Sequence, residues 1–105
     1  KTMKTRGRTD VNQQSIVDWV RRHYGGQVSI YSTANLGGGF PDLILACGPR
    51  FGSVTLLLEV KRDAKAKLTA QQQRFHALWN GGPLHVIWNE EQVEAILLEL
   101  ERGAG

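Results

Sequence analysis

At 105 residues, 41% of them hydrophobic, the chain suffices for one domain with a modest core, so its stability is expected to be marginal or helped by self-association. No apolar run approaches the roughly 18 to 20 residues of a membrane helix, no apolar signal stretch follows the charged N-terminus, and Cys47 stands alone, so an intracellular protein without membrane attachment, internal disulfide or thiolate metal cluster is expected. Net charge is +3, but residues 1–74 hold twelve of the thirteen Lys and Arg against five acids, a basic half that suits a polyanion such as nucleic acid and that a plain solvated surface would also show.

Residues 1–8 (KTMKTRGR) are basic and aperiodic and read as a flexible arm. From a cap at Thr9 or Asp10, the residues Ile16, Val17, Val20 and Tyr24 recur at helical spacing until Gly25 and Gly26, which predicts a first helix. Gln27 to Ser32 alternates Val28 and Ile30 with polar neighbours and reads as a strand, followed by a loop, Ala34 to Phe40, with three consecutive glycines. A second strand runs from Asp42 to Cys47, and a turn at Gly48, Pro49 and Gly52 leads to a third, Ser53 to Val60. Its Val54, Leu56, Leu57 and Leu58 suit a central strand covered on both faces.

Beyond a basic loop, Lys61 to Lys67, Thr69 can cap a helix carrying Phe75, Leu78 and Trp79 that stops at Asn80, Gly81 and Gly82. Leu84 to Trp88 reads as a fourth strand. Asn89 with Gln92 forms a capping box for a last helix whose core face is Val93, Ile96, Leu97 and Leu100. The order is αβββαβα in a single domain over 1–105, without repeats or an internal linker.

Glu59 and Lys61 stand two apart at the end of the most apolar strand and so share a face. A carboxylate against a hydrophobic sheet is expensive unless paired, hydrated or metal-bound, and an ordinary ion pair where the strand reaches water would explain these two residues alone. Pro41 sets a second carboxylate, Asp42, at the start of the preceding strand. If the two strands form an antiparallel hairpin, that start lies beside the end carrying Glu59, and two acids there would bind a hard divalent ion such as Mg²⁺. Lys61 could then orient an attacking water or stabilise charge developing on phosphorus.

The PD pair at 41–42 followed by EVK at 59–61 resembles the PD-(D/E)XK nuclease superfamily. Within it, GGFPDLIL, LLLEVKRD, LTAQQQRF and GGPLHVIWNEEQ look most like stand-alone VRR-NUC domains of phages and bacteria, with archaeal-type Holliday junction resolvases as cousins, over nearly the whole chain. The resemblance implies an α/β fold with a restriction-endonuclease-like core, a mixed four-stranded sheet flanked by helices. It implies Asp42, Glu59 and the Val60 carbonyl as ligands of Mg²⁺ or Mn²⁺, with Lys61 as the catalytic lysine. The activity it implies is a cytoplasmic endonuclease that hydrolyses DNA to leave a 5′-phosphate, at branched, flapped or Holliday junction substrates, as in DNA repair. Cutting a junction symmetrically needs a homodimer, whose surface could be apolar residues around Trp79, Trp88 or the last helix.

Gln72 matches a glutamine of VRR-NUC sequences and its helical spacing to Phe75 and Trp79 turns it toward the site; as the third helical position after Thr69 it could instead serve only a capping box. The family usually carries a glutamate early in the first helix, where this chain offers Gln13 or Gln14, of which Gln13 lies on the inward stripe. Asp10 could substitute, whereas Asp18 falls off that stripe. An amide oxygen is a weaker cation ligand, so a nucleic-acid-binding module that has lost cleavage remains the alternative. His23, His76 and His85 lack partners at metal spacing and read as structural or surface residues. Gly37 to Gly39 lack the lysine and helix of a phosphate loop, which argues against a nucleotide cofactor, and would let DNA or metal approach the backbone. Ser32 and Thr33 could contact a phosphate or simply form a polar loop, and Arg62, Lys65, Lys67 and Arg74 are candidate phosphate contacts.

Overall fold

The computed structural model describes residues 8–105, Arg8 by its backbone alone. Its elements are α1 (Arg8–Tyr24), β1 (Val28–Ser32), β2 (Leu43–Cys47), a 3₁₀ turn (Pro49–Phe51), β3 (Thr55–Val60), α2 (Ala70–Leu78), β4 (Leu84–Ile87) and α3 (Glu90–Ala104). The order αβββαβα is as the sequence predicts, with strand ends one or two residues shorter. The arm expected at 1–8 lies outside the described residues except for Arg8, which already belongs to α1. Thr9 and Asp10 are therefore not the cap; Asp10 sits in the first turn, where its charge complements the positive end of the helix.

The four strands lie in chain order in one mixed sheet. β1 and β2 pair antiparallel, as do β2 and β3, while β3 and β4 run parallel. A parallel pair needs a crossover, and α2 is that crossover, carried back over the sheet.

Strand alternation divides the sheet into two unlike faces. On one, Val28, Ile30, Leu43, Leu45, Cys47, Leu56, Leu58 and Val60 meet Ile16, Val17 and Val20 of α1 and Val93 and Leu97 of α3 in a continuous core. Burial of each such Leu, Ile or Val contributes about 1.5 to 3 kcal/mol, so this layer holds the domain together. The N-terminus of α3 is closed by the predicted capping box, with Asn89 Oδ1 accepting from the Gln92 amide at 3.0 Å and Gln92 Oε1 accepting from the Asn89 amide at 3.1 Å.

The other face presents Ile44, Leu57 and Glu59, and α2 lies across it, with Gln72 reaching Glu59. Leu56 to Val60 are all buried, the double coverage expected of a central strand. α2 departs from expectation: it has no fully buried side chain, Leu78 is 75% exposed, and Trp79 caps the helix instead of continuing it. Phe75 packs between Phe40 and Trp79, with ring centroids at 5.2 and 5.3 Å, so the apolar residues the helix was expected to carry include an aromatic cluster.

Candidate active site

The hairpin of β2 and β3 sets the two carboxylates side by side. Leu43 pairs with Leu58, and one step outward the Asp42 amide donates to the Leu58 carbonyl at 3.0 Å. Asp42 Oδ2 accepts from the Val60 amide at 2.8 Å. On a strand the amide and carbonyl of one residue point to the same side, so the Val60 carbonyl also faces Asp42. The approach to Asp42 is pinned by Thr33, whose hydroxyl donates to the Pro41 carbonyl and whose amide donates to the Asp42 carbonyl, both at 2.7 Å. The Asp42 and Glu59 carboxyl groups come into hydrogen-bonding contact.

Glu59 is completely buried. Its Oε2 accepts from Gln72 Nε2 at 3.1 Å, while Gln72 Oε1 accepts from Lys61 Nζ at 2.8 Å and from the Thr69 amide at 2.9 Å. With two donors facing Oε1, the amide group can only offer its N–H to Glu59, so the orientation of Gln72 is determined. Thr69 Oγ1 in turn accepts from the Gln72 amide at 3.1 Å. Gln72 is thus both the capping-box residue of α2 and the link between Glu59 and Lys61; the two alternatives are one arrangement.

Burial, then contact with Asp42, pushes the Glu59 carboxyl up to about 8, against the pull of Lys61. Near neutral pH Glu59 therefore keeps its proton in the metal-free protein. Glu59 Oε1 is buried and has no hydrogen-bond partner, and neither does the buried His76 Nε2 that faces it at 3.7 Å. Burial and the Lys61 charge hold His76 below the usual histidine range. His76 is therefore not an isolated structural residue. Its spacing of four from Gln72 places both on one helix face, a signal present in the chain but unreadable without knowing what that face covers.

Among the described residues no three His, Cys, Asp or Glu side chains enclose a metal position. A cation would rest on Asp42, Glu59 and the Val60 carbonyl, with water filling the remainder, and the unpartnered buried Oε1 of Glu59 fits such a ligand.

The other candidates are dispersed. Gln13 makes no hydrogen bond to this cluster; it is half-buried on the α1 side, lining a cleft of about 220 Å³ with Asp10, Gln14, Ser32 and Leu43. What α1 does send to the end of β3 is Asn12, whose Nδ2 donates to the Lys61 carbonyl at 2.9 Å and the Arg62 carbonyl at 3.2 Å, a clamp that no motif announced. Ser32 is exposed, and the Thr33 hydroxyl is engaged by Pro41. Lys65 and Lys67 are exposed on the loop before α2, while Arg62 lies near Asp63 at 3.8 Å in a cleft bordered by α1 and the start of α3. Arg74 lines a cleft of about 330 Å³ with Gly38, Phe75 and Trp79. Gly39, at φ +84°, lies against α2: a Cβ there would stand 2.4 Å from the Gln71 carbonyl oxygen. At that glycine the close neighbour is the chain's own helix.

No protein-family model matches the chain, and no curated protein matches it. A solved VRR_NUC domain does: it shares 24% sequence identity, superposes with a TM-score of 0.63, and the match covers 87% of this chain and 95% of that one. Element order and sheet topology agree with that superposition, and the chain has a VRR-NUC-type nuclease fold.

Proposed function

We propose that the chain is a metal-dependent endonuclease that hydrolyses DNA phosphodiester bonds, selecting branched, flapped or four-way junction structures, leaving a 5′-phosphate and acting as a homodimer in the cytoplasm. The observation that carries this reading is the cluster of Asp42, Glu59, Lys61 and Gln72, with a buried Glu59 oxygen left unpartnered beside a second carboxyl group. Asp42, Glu59 and the Val60 carbonyl hold the cation. Mg²⁺ or Mn²⁺ bound there supplies a Lewis acid for the phosphoryl oxygens and acidifies a bound water. Lys61, steered by Gln72 Oε1, offers its ammonium to the attacking water or to the charge that builds on phosphorus. Gln72 fixes Glu59 through Oε2 and leaves Oε1 free. Lys65, Lys67, Arg74, Arg62 and Ser32 contact phosphates of the bound strands.

A second reading, a DNA-binding module with impaired cleavage, rests on Gln13, an amide at the first-helix position where the resemblance implies a glutamate. Incubating the pure protein with a labelled four-way junction, with and without Mn²⁺, separates the two. Metal-dependent cutting that disappears in Asp42→Ala and Lys61→Ala supports the endonuclease. Salt-sensitive binding with no cutting by the unmodified chain supports the module, and absence of both overturns each.

A further inference from the structure

Gln71, Arg74, Phe75 and Leu78 recur along α2 at i, i+3, i+4 and i+7 and so form one stripe, next to the stripe of Gln72 and His76 that meets Glu59. The first stripe borders a cleft of about 330 Å³, completed by Trp79 and by Gly38 of the glycine loop. Trp79 is held in place by its own chain. Its Nε1–H donates to the Gly82 carbonyl at 3.0 Å, its ring stacks on Phe75 with 18° between the planes, and Gly81 passes so close that a Cβ there would stand 2.5 Å from the indole. With the indole N–H spent in that turn, the ring has only carbon left to offer the cleft. Leu78 adds an aliphatic side chain that is 75% exposed. Gly38 meets open space where a Cβ would stand, so the loop side of the cleft stays clear.

Charge selects the occupant. Arg74 has no carboxylate partner among the described residues. No Asp or Glu occurs between Asp18 and Asp42 or between Asp63 and Glu90, the two stretches that supply the walls. Lys65 and Lys67 are exposed on the loop that leads into the same helix. A rigid aromatic and aliphatic surface beside an unpaired guanidinium fits a ligand that joins a flat ring to an anion, which describes a nucleotide. The volume lies at the lower end of the roughly 300 to 1,000 Å³ of ligand sites, room for one such unit and not for a duplex. Bases inside a duplex are stacked out of reach, so the nucleotide must be unpaired. We propose that this cleft receives the base of one unpaired nucleotide, with Arg74 on its phosphate, and that the chain recognises a single-stranded DNA arm in this way. The inference rests on the endonuclease reading and gives it a means of choosing branched or flapped substrates. Consecutive residues of a helix point about 100° apart, so the cleft and the Glu59 cluster lie on neighbouring faces of α2 and one strand can serve both.

The test measures binding of the full chain, in EDTA, to three fluorescent DNAs: a plain duplex, the same duplex with a single-stranded arm, and that duplex with an abasic arm, which keeps the phosphates and drops the bases. The natural arm should raise affinity about tenfold over the plain duplex, and the abasic arm should forfeit that gain. Leu78→Ser, at an exposed position, should cut the gain at least threefold and change plain-duplex affinity less than about twofold; Arg74→Gln should cut the gain as well. An abasic arm bound as tightly as the natural one, a result that needs no variant to fold, overturns the base site, and so does a natural arm that adds nothing. Self-association lost in Leu78→Ser while the arm preference persists assigns the cleft to a second copy of the chain and overturns it too. Cutting with Mn²⁺ is scored separately. Metal-dependent cutting without a base-dependent arm preference overturns the cleft assignment and leaves the endonuclease reading intact, whereas the arm preference in a chain that does not cut supports the cleft and overturns the endonuclease.

Discussion

Gln72 combines two duties in a single amide, and they can be separated experimentally. Thr69→Ala removes the hydroxyl that accepts from the Gln72 amide but leaves the Thr69 backbone donor, and with it the orientation of the side chain. It should cost about 1 kcal/mol of stability and spare cleavage once the protein is folded. Gln72→Ala removes the cap partner and also frees Lys61 and Glu59, so chemical denaturation should show a similar loss while single-turnover cleavage falls at least tenfold more than in Thr69→Ala. Equal cleavage by the two variants would reduce Gln72 to a cap. Glu59 makes stability depend on pH in a direction opposite to most acids. Its carboxyl stands at about 8 in the folded metal-free protein against an ordinary 4.5, so the folded state keeps a proton that the unfolded chain releases. That contribution is complete below the ordinary carboxylate range and is lost as pH rises through about 8. Denaturation midpoints of the metal-free protein should fall across this window, and Glu59→Gln should flatten the decline. The roles of these residues were only partly written in the chain: the PD and EVK positions announce Asp42, Glu59 and Lys61, whereas the pairing of His76 with Glu59 spans seventeen positions and exists only once α2 crosses the sheet.

The glycine loop and α2 form one unit at the scale of elements. Gly39 combines a positive φ with a backbone approach that leaves no room for a methyl group, whereas Gly38, also at positive φ, meets open space. Gly39→Ala should therefore destabilise the protein by about 1 to 3 kcal/mol and lower cleavage by shifting the start of α2, while Gly38→Ala should cost about 1 kcal/mol and leave the helix in place. Comparison of melting and cleavage for the two variants checks this. Periodicity made most elements readable: the stripe Ile16, Val17, Val20 of α1, the alternation of β1, the run in β3 and the capping boxes at Thr69 and Asn89 all lie where expected. For α2 it placed the helix but not what its apolar residues touch, because apolar residues at helical spacing read the same whether they meet a core or a neighbouring loop. Leu78 faces solvent, and Phe75 finds Phe40 and Trp79.

For the molecule as a whole, the sheet separates support from chemistry. α1 and α3 bury the hydrophobic face, and the opposite face holds the acids, the lysine and the histidine beneath α2. The sequence predicts that Glu59 and Lys61 share a face of β3, but not which helices cover each face, nor that Asn12 reaches from the supporting side to clamp the end of β3, since a single asparagine at the edge of a helical stripe has no distinctive spacing. The crossover helix, with none of its side chains wholly buried, is anchored chiefly by polar links to the very groups it covers. Such a helix opens more readily than its neighbours, so its amides should exchange with deuterated solvent ahead of those in α1 and α3. A cation bound to the acids it covers would then act as a latch, converting ligand affinity into rigidity of one segment and slowing exchange there while the rest of the domain stays as it was.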